Sequence, residues 1–493
     1  MKLIKWLLIS CATALACGFQ AIALDDNKRL SSDEWYKAGA ATVEARKQLS
    51  VNTNKAKNVI LVIGDGMGIS TLTAARILEG QMRGETGEEN LLSFEKFPYT
   101  ALVKTYNTDQ QVPDSAGTAS AMNTGVKTRS RVISLTPEQP KGICAGAGIA
   151  SLNTLAMRLE NMGYATGVVT TAKVTHATPA AVYANSAHRN WESDDKLTSE
   201  ARDHGCKDIA RQLIEFKQGD GLDVAFGGGR KHFLPKGKGA GTRNDNRDLT
   251  QEWLSTRNKA SYVEDASALS RINSETTGPV LGLFAADHID YVDKRPDDQP
   301  SLTSMTIKAI DILSQNEKGY YLMVEAGRVD HAHHEGNAYR ALHEAVELSK
   351  TVAKIIETVD LSETLVLVTA DHSHVFTLAG YPDRGNPILG VVRDQAGKEV
   401  LAKDGKPYTS LGYWAGPGHE EGERSEVDDK ITQSSDYLQQ AAVPLKKETH
   451  GGEDVALFAV GPWAHLVGGM IEQNVIYHYM VNAMGLKDSA SPN

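Results

Sequence analysis

The sequence has no surplus of positive charge. Its 52 lysines and arginines face 62 aspartates and glutamates, a formal charge of −10, which argues against nucleic acid and anionic membrane surfaces as partners. Cysteine is scarce, with four in 493 residues. No apolar run reaches the ~18 residues a membrane span needs, so no transmembrane segment is expected. Internal repeats and low-complexity tracts are lacking too. What is present is a chain 41% hydrophobic and 23% charged, the balance of an ordinary folded protein with room for a large buried core.

The N-terminus reads as a secretory signal over residues 1–23. Lys2 and Lys5 open it, an apolar stretch runs from Trp6 to about Ala16, and Ala21-Ile22-Ala23 fits a small-x-small cleavage site. The expected location is periplasmic or secreted. Cys11 and Cys17 sit in this stretch, so lipid attachment at one of them is the alternative. Cleavage removes two lysines and no acids, leaving 50 basic against 62 acidic residues, or −12. An anionic substrate then needs local positive charge, from metals or a placed arginine. Cys144 and Cys206 remain; in an oxidising compartment such a pair suggests one disulfide, against the alternative of two buried thiols.

Residues 24–56 are polar and form an arm, helical around Ser32–Leu49 with Ser31 or Ser32 as cap and Glu34 near the third helical position. Asn58–Ile63 is a continuous apolar run ending in Gly64-Asp65-Gly66, a buried parallel strand stopping at a tight turn. The same shape recurs at Ala165–Thr170, Tyr320–Val324, Thr364–Thr369 and Val455–Val460. Amphipathic helical stretches lie between, at Ser151–Asn161, Leu302–Ser314 and Asn337–Val359. This alternation predicts an α/β fold: a three-layer, doubly wound, mostly parallel central sheet flanked by helices. Its segments are 57–379 and 450–493. Residues 380–449 are richer in Gly, Pro and charge and form a small irregular insertion.

Ligands of such sheets gather beyond the carboxyl ends of the strands, and the candidate ligands fall there. Asp65 follows the first strand, Glu325 and Asp330 the Tyr320 strand, and Asp371-His372 the Thr364 strand. His176 and Thr178 lie past the Ala165 strand, and His450 precedes the last. One aspartate at a strand end is ordinarily a helix cap; five converging ends are not explained that way. Glu325-Ala-Gly-Arg-Val-Asp330-His331-Ala-His333-His334 alone could be a surface cluster, but with Asp371-His372-Ser373-His374 it points to metal. Imidazole with carboxylate suits zinc, and an all-oxygen set suits magnesium. Ser115, in Pro113-Asp114-Ser115-Ala116-Gly117-Thr118, opens a helix. Such a serine is ordinarily a cap, yet a helix start also favours phosphate, and a nearby zinc would activate the hydroxyl.

Gly64-Asp65-Gly66-Met67-Gly68, the Ser115 segment, His176-Ala177-Thr178-Pro179, Glu325–His334, Thr369–His374 and Glu448-Thr449-His450 together resemble the alkaline phosphatases, from about residue 30 to the C-terminus. The resemblance implies a phosphomonoesterase with two zinc ions and one magnesium per chain, a phosphoserine on Ser115, an alkaline optimum and broad substrate range. It implies one zinc on Asp330, His334 and His450, and a second on Asp65, Asp371 and His372. It implies a magnesium on Asp65, Thr178 and Glu325, with Arg189 clamping the phosphate. His176 and His331 resemble the animal branch rather than the enterobacterial one, which has Asp and Lys there; His176 is expected by the magnesium, directly or one shell out, and His331 near the phosphate. Ala285 and Gln299 stand where acids of an extra calcium site would be, so no fourth site is expected. The arm and the crown-like insertion at 380–449 imply a homodimer. A phosphodiesterase or sulfatase of the same fold, or a zinc-binding protein without turnover, are the rival readings; Ser115 lacks a sulfatase context.

Overall fold

The computed structural model describes residues 30–487. The expected secretory signal, with Cys11, Cys17 and Ala21-Ile22-Ala23, lies outside that range, as do the first residues of the arm. The arm helix α1 spans Ser32–Lys47, closed by a capping box between Ser31 and Glu34, and none of its residues is buried.

One large sheet organises the rest. Its strands are β1 (Asn58–Gly64), β2 (Tyr99–Lys104), β3 (Ala165–Lys173), β4 (Val224–Gly228), β5 (Ser261–Val263), β6 (Val280–Leu283), β7 (Tyr320–Ala326), β8 (Thr364–Ala370), β9 (Val455–Val460) and β10 (Met470–Glu472). They lie in the order β10-β2-β9-β8-β1-β7-β3-β4-β6-β5. Every residue of β1, β7 and β8 is buried, because strands covered by helices on both faces carry apolar residues without alternation. Two helix layers provide that cover. Helices α2 (Ile69–Gln81), α6 (Leu302–Leu313) and α8 (Ala338–Thr358) pack together on one side. Helices α3 (Ser115–Thr124), α4 (Leu155–Glu160) and α5 (Ala177–Tyr183) pack together on the other. The expected three-layer α/β architecture is therefore present.

Two expectations need correction. Val455–Val460 is a strand, but it runs antiparallel to both β8 and β2. The helix expected over Ser151–Asn161 starts only at Leu155, where Thr154 accepts the N–H of Met157 as cap. Within 380–449, Leu411–Gly416 pairs with Phe376–Leu378 and with Ala441–Pro444 in a separate three-stranded sheet.

Register positions the site. Gly64 of β1 pairs with Ala370 of β8, so Asp65 and Asp371 leave the sheet side by side. Glu325 lies one step inside, paired with Ile63 and with Thr170 of β3.

Candidate active site

Asp330 and His334 ride on the short helix α7 (Arg328–His334) that follows β7, one turn apart, so both face the same way. His450 approaches from the other side. His334 Nε2 lies 3.4 Å and His450 Nε2 3.3 Å from Asp330 Oδ1, and the two imidazole nitrogens are 3.1 Å apart. With both rings neutral, that last pair has no proton to share. His334 Nδ1 faces the carbonyl of Glu448 at 2.7 Å and His450 Nδ1 that of Pro113 at 2.8 Å. A carbonyl only accepts, so each Nδ1 donates and each neutral Nε2 is a bare lone pair. Donors around a tetrahedral ion at ~2.05 Å stand about 3.3 Å from one another. The triangle has that size.

Asp65, Asp371 and His372 form a second group. His372 Nε2 is 3.4 Å from Asp65 Oδ1 and 3.5 Å from Asp371 Oδ2, and its Nδ1 is turned to the carbonyl of Ser373. All three residues are fully buried. Gly66 allows this closeness: its φ is +68°, and any Cβ there would strike the His374 ring. Its N–H donates to Asp371 Oδ1 at 3.0 Å.

Asp65 belongs also to a third group, with Glu325 and His176, and Thr178 lies against Glu325. Among the described residues no hydrogen-bond donor reaches either oxygen of Asp65, while Glu325 is met by the hydroxyls of Thr170 and Thr178. Burial first, then the neighbouring carboxylates, raises Asp65 well above the usual carboxylate range. Glu325 is pushed up to about 7, chiefly by burial. Buried acids crowded together without donors need cations. Burial holds the His334 ring down to about 4 and His372 well below its ordinary value, so both are neutral, as ligands must be.

Ser115 is the first residue of α3, with Asp114 just before it as the capping position, rather than being the cap itself. Its Oγ lies 3.1 Å from His372 Nε2. The Asp114 side chain does not cap its own helix. It accepts from Arg189 Nη1 at 2.6 Å and from the N–H of Arg131 at 2.6 Å. The helix start is thereby left open to a ligand. Arg189 Nη2 donates to His176 Nε2 at 3.0 Å. These groups line a cleft of about 800 Å³ that holds Ser115, Arg189, His176, His331, Asp330, His334 and His450. His331 packs edge-on against His176 at 5.3 Å and against His288 at 4.2 Å, and burial lowers it to about 3.

The residues expected to hold metal or phosphate, with Ser115, thus lie in one place; Cys144 and Cys206 form a disulfide elsewhere. Sequence reasoning gave no role to Asp114, His288, His374 or Glu448. His374 bridges two carboxylates, with Nε2 2.9 Å from Asp330 Oδ1 and Nδ1 2.6 Å from Glu448 Oε2. Burial opposes its charge, but Glu448 and Asp330 raise it to about 10. The clue to Asp114 was its place beside the serine; the others depend on contacts distant in sequence.

The alkaline phosphatase family model matches residues 56–486. The tissue-nonspecific alkaline phosphatase of Gallus gallus is 45% identical over 466 residues, covering 91% of this chain and 88% of that protein. The alkaline phosphatase of Gadus morhua is 44% identical over 449 residues, 88% and 93% of the two chains. Among solved structures, Thermus thermophilus alkaline phosphatase superposes with a TM-score of 0.64 at 24% identity, over 90% of this chain and 94% of that one, a likeness of fold.

Proposed function

The chain belongs to the alkaline phosphatase family and hydrolyses phosphate monoesters, and from that premise we propose that Ser115 is its nucleophile. The observation that carries this reading is the pair of bare imidazole nitrogens 3.1 Å apart beside Asp330, a metal-sized triangle next to a serine at an open helix start. Asp330, His334 and His450 would hold one zinc ion, and Asp65, Asp371 and His372 a second. Asp65, Thr178 and Glu325, an oxygen set, would hold magnesium. When bound, these cations supply Lewis acidity to the phosphoryl oxygens and lower the pKa of the serine hydroxyl. Ala285 and Gln299 offer no carboxylate for a calcium ion.

Arg189, held by Asp114, grips two phosphoryl oxygens and sets the phosphorus in line with Ser115 Oγ. The deprotonated oxygen attacks, the P–O bond to the alcohol breaks, and the alcohol leaves with a solvent proton. Water then displaces Ser115 from the phosphoserine, returning inorganic phosphate. His176 steadies Arg189 from the side of Glu325, and His331 lines the phosphate's surroundings. Because recognition is of the phosphoryl group, the alcohol is read loosely. Activity rises into alkaline pH.

The arm supports a homodimer. Its Trp35 and Tyr36 are 54% and 78% exposed on a helix that buries nothing, which suits a partner's surface; residues 380–449 would be the crown-like insertion of the same interface. Among the described residues no helix is long and apolar enough to cross a membrane, and the signal expected over 1–23 makes the protein periplasmic or secreted. The deciding experiment is acid quenching of turnover with a radiolabelled monoester, alongside metal analysis. Label on the wild type, none on Ser115→Ala with kcat/KM down by at least about a thousandfold, and two zinc with one magnesium per chain are expected. Unchanged turnover of Ser115→Ala refutes the reading.

A further inference from the structure

The cleft over Ser115 contains charges that the chemistry above does not use. Lys173 is taken up by Glu192 at 2.7 Å, and Arg189 by Asp114. Arg131 and Lys447 line the same cleft, both exposed. Among the described residues neither side chain has a carboxylate within ion-pair distance, although acids outnumber bases in the chain. The acids that line the cleft, Asp114, Glu192 and Asp330, are each occupied by a cation or an imidazole. What the cleft presents to an incoming molecule beyond the phosphate-binding groups is therefore net positive.

Arg131 is also an unusual residue for its backbone. Its φ is +67°, a left-handed conformation that glycine or asparagine adopts with least strain and a long side chain does not. The chain needs that conformation, because the Arg131 N–H donates to Asp114 while its carbonyl accepts the N–H of Arg189 at 2.9 Å. Glycine would serve those two bonds equally well. Strain retained beside a reactive centre points to work done by the side chain. Lys447 arrives independently, three positions before His450, whose ring is fixed to the carbonyl of Pro113. The two cations thus flank the Pro113-Asp114-Ser115 segment from separate parts of the chain.

We propose that Arg131 and Lys447 are specificity-determining residues that favour phosphate esters whose leaving group carries a second anionic group. The inference rests on the phosphomonoesterase reading and deepens it. The phosphoryl end of the substrate is held by Arg189 and the ligand clusters, and the leaving group must extend outward through the cleft, past these two side chains. An anionic leaving group meets them as counter-charges; a neutral one gains nothing. The selectivity is electrostatic, so salt weakens it.

A matched pair of esters tests this: phenyl phosphate and 3-carboxyphenyl phosphate, whose leaving phenols have similar acidity. The readout is the ratio of kcat/KM for the carboxylated over the plain ester, measured on the metal-loaded enzyme. We expect a ratio of about ten at low ionic strength, falling toward unity in about 0.5 M salt. It falls in Arg131→Asn and in Lys447→Ala, reaches unity in the double variant, and is retained in Arg131→Lys, which keeps the charge. Asparagine tolerates the left-handed backbone and Lys447 is exposed, so either variant alone keeps the test readable. A wild-type ratio of unity, or a double variant that loses activity on both esters at an unchanged ratio, overturns the proposal. Failure of the wild type to hydrolyse phenyl phosphate would overturn the hydrolase reading itself and this proposal with it.

Discussion

Asp114 holds Arg189 with one carboxylate oxygen and the backbone of Arg131 with the other, each at 2.6 Å. The residue before the proposed nucleophile therefore orients the proposed phosphate clamp instead of capping its own helix. Asp114→Ala should free the guanidinium while leaving Ser115 and the ligand clusters in place. KM and the inhibition constant of inorganic phosphate should each rise about tenfold, with kcat within about threefold. Steady-state kinetics checks this; a loss confined to kcat would contradict it.

Asp65, Asp330, Asp371 and Glu325 converge in one buried volume. Removing cations leaves these carboxylates facing one another, so a chelator should cost stability as well as activity. Calorimetry before and after chelation should record a fall in Tm of about 10 °C, on the scale of ligands bound far above their Kd. Re-addition of zinc and magnesium should restore both. Equal Tm values with and without chelator would count against the buried metal sites.

The Cys144–Cys206 bridge closes a loop of sequence separation 62, worth about 4 kcal/mol on loop-entropy grounds. It sits in a satellite core with Val132, Leu135, Ala187 and Trp191, which flanks the segment carrying Arg189. The Cys144→Ala, Cys206→Ala double variant should unfold at lower denaturant and show a raised KM at nearly unchanged kcat. Denaturant titration and kinetics on one preparation separate the two effects.

Far from the cleft, burial pushes Glu160 up to about 9 and its neighbour Asp223 up to about 7. A carboxyl whose folded-state pKa is raised favours the native state while protonated. Its contribution is complete below the unfolded value and is lost as pH rises through the folded one. For Glu160 the loss runs from about pH 4.5 to pH 9, at no more than about 1.4 kcal/mol per pH unit. Urea unfolding of Glu160→Gln should accordingly give a flatter decline of stability across that window than the wild type. Parallel curves would exclude the assignment.

How much of this was legible in the sequence depends on the range of each interaction. Asp65, Glu325 and Asp371 could be placed together because each ends an apolar run, and parallel strands put their carboxyl ends on one edge. The direction of β9 could not be read, since Val-Ala-Leu-Phe-Ala-Val is equally apolar both ways and only its neighbours decide. Strands β4 and β6 leave little pattern in the sequence because they are short and carry glycine. Asp114 and His374 take their roles from partners distant in sequence, among them Arg189 and Glu448, 75 and 74 positions away. Neither pairing leaves a local pattern.

Asp65 is a member of two ligand groups at once. Two cations that shared a carboxylate would not be taken up as strangers: the first to arrive fixes the side chain that the second requires, and its charge offsets the burial and the neighbouring carboxylates that raise Asp65. Loading should then be cooperative and should release protons, with the half-filled protein scarce at every metal concentration. A protein made in a metal-poor environment would be a mixture of full and empty molecules, not a uniform population of weakened ones.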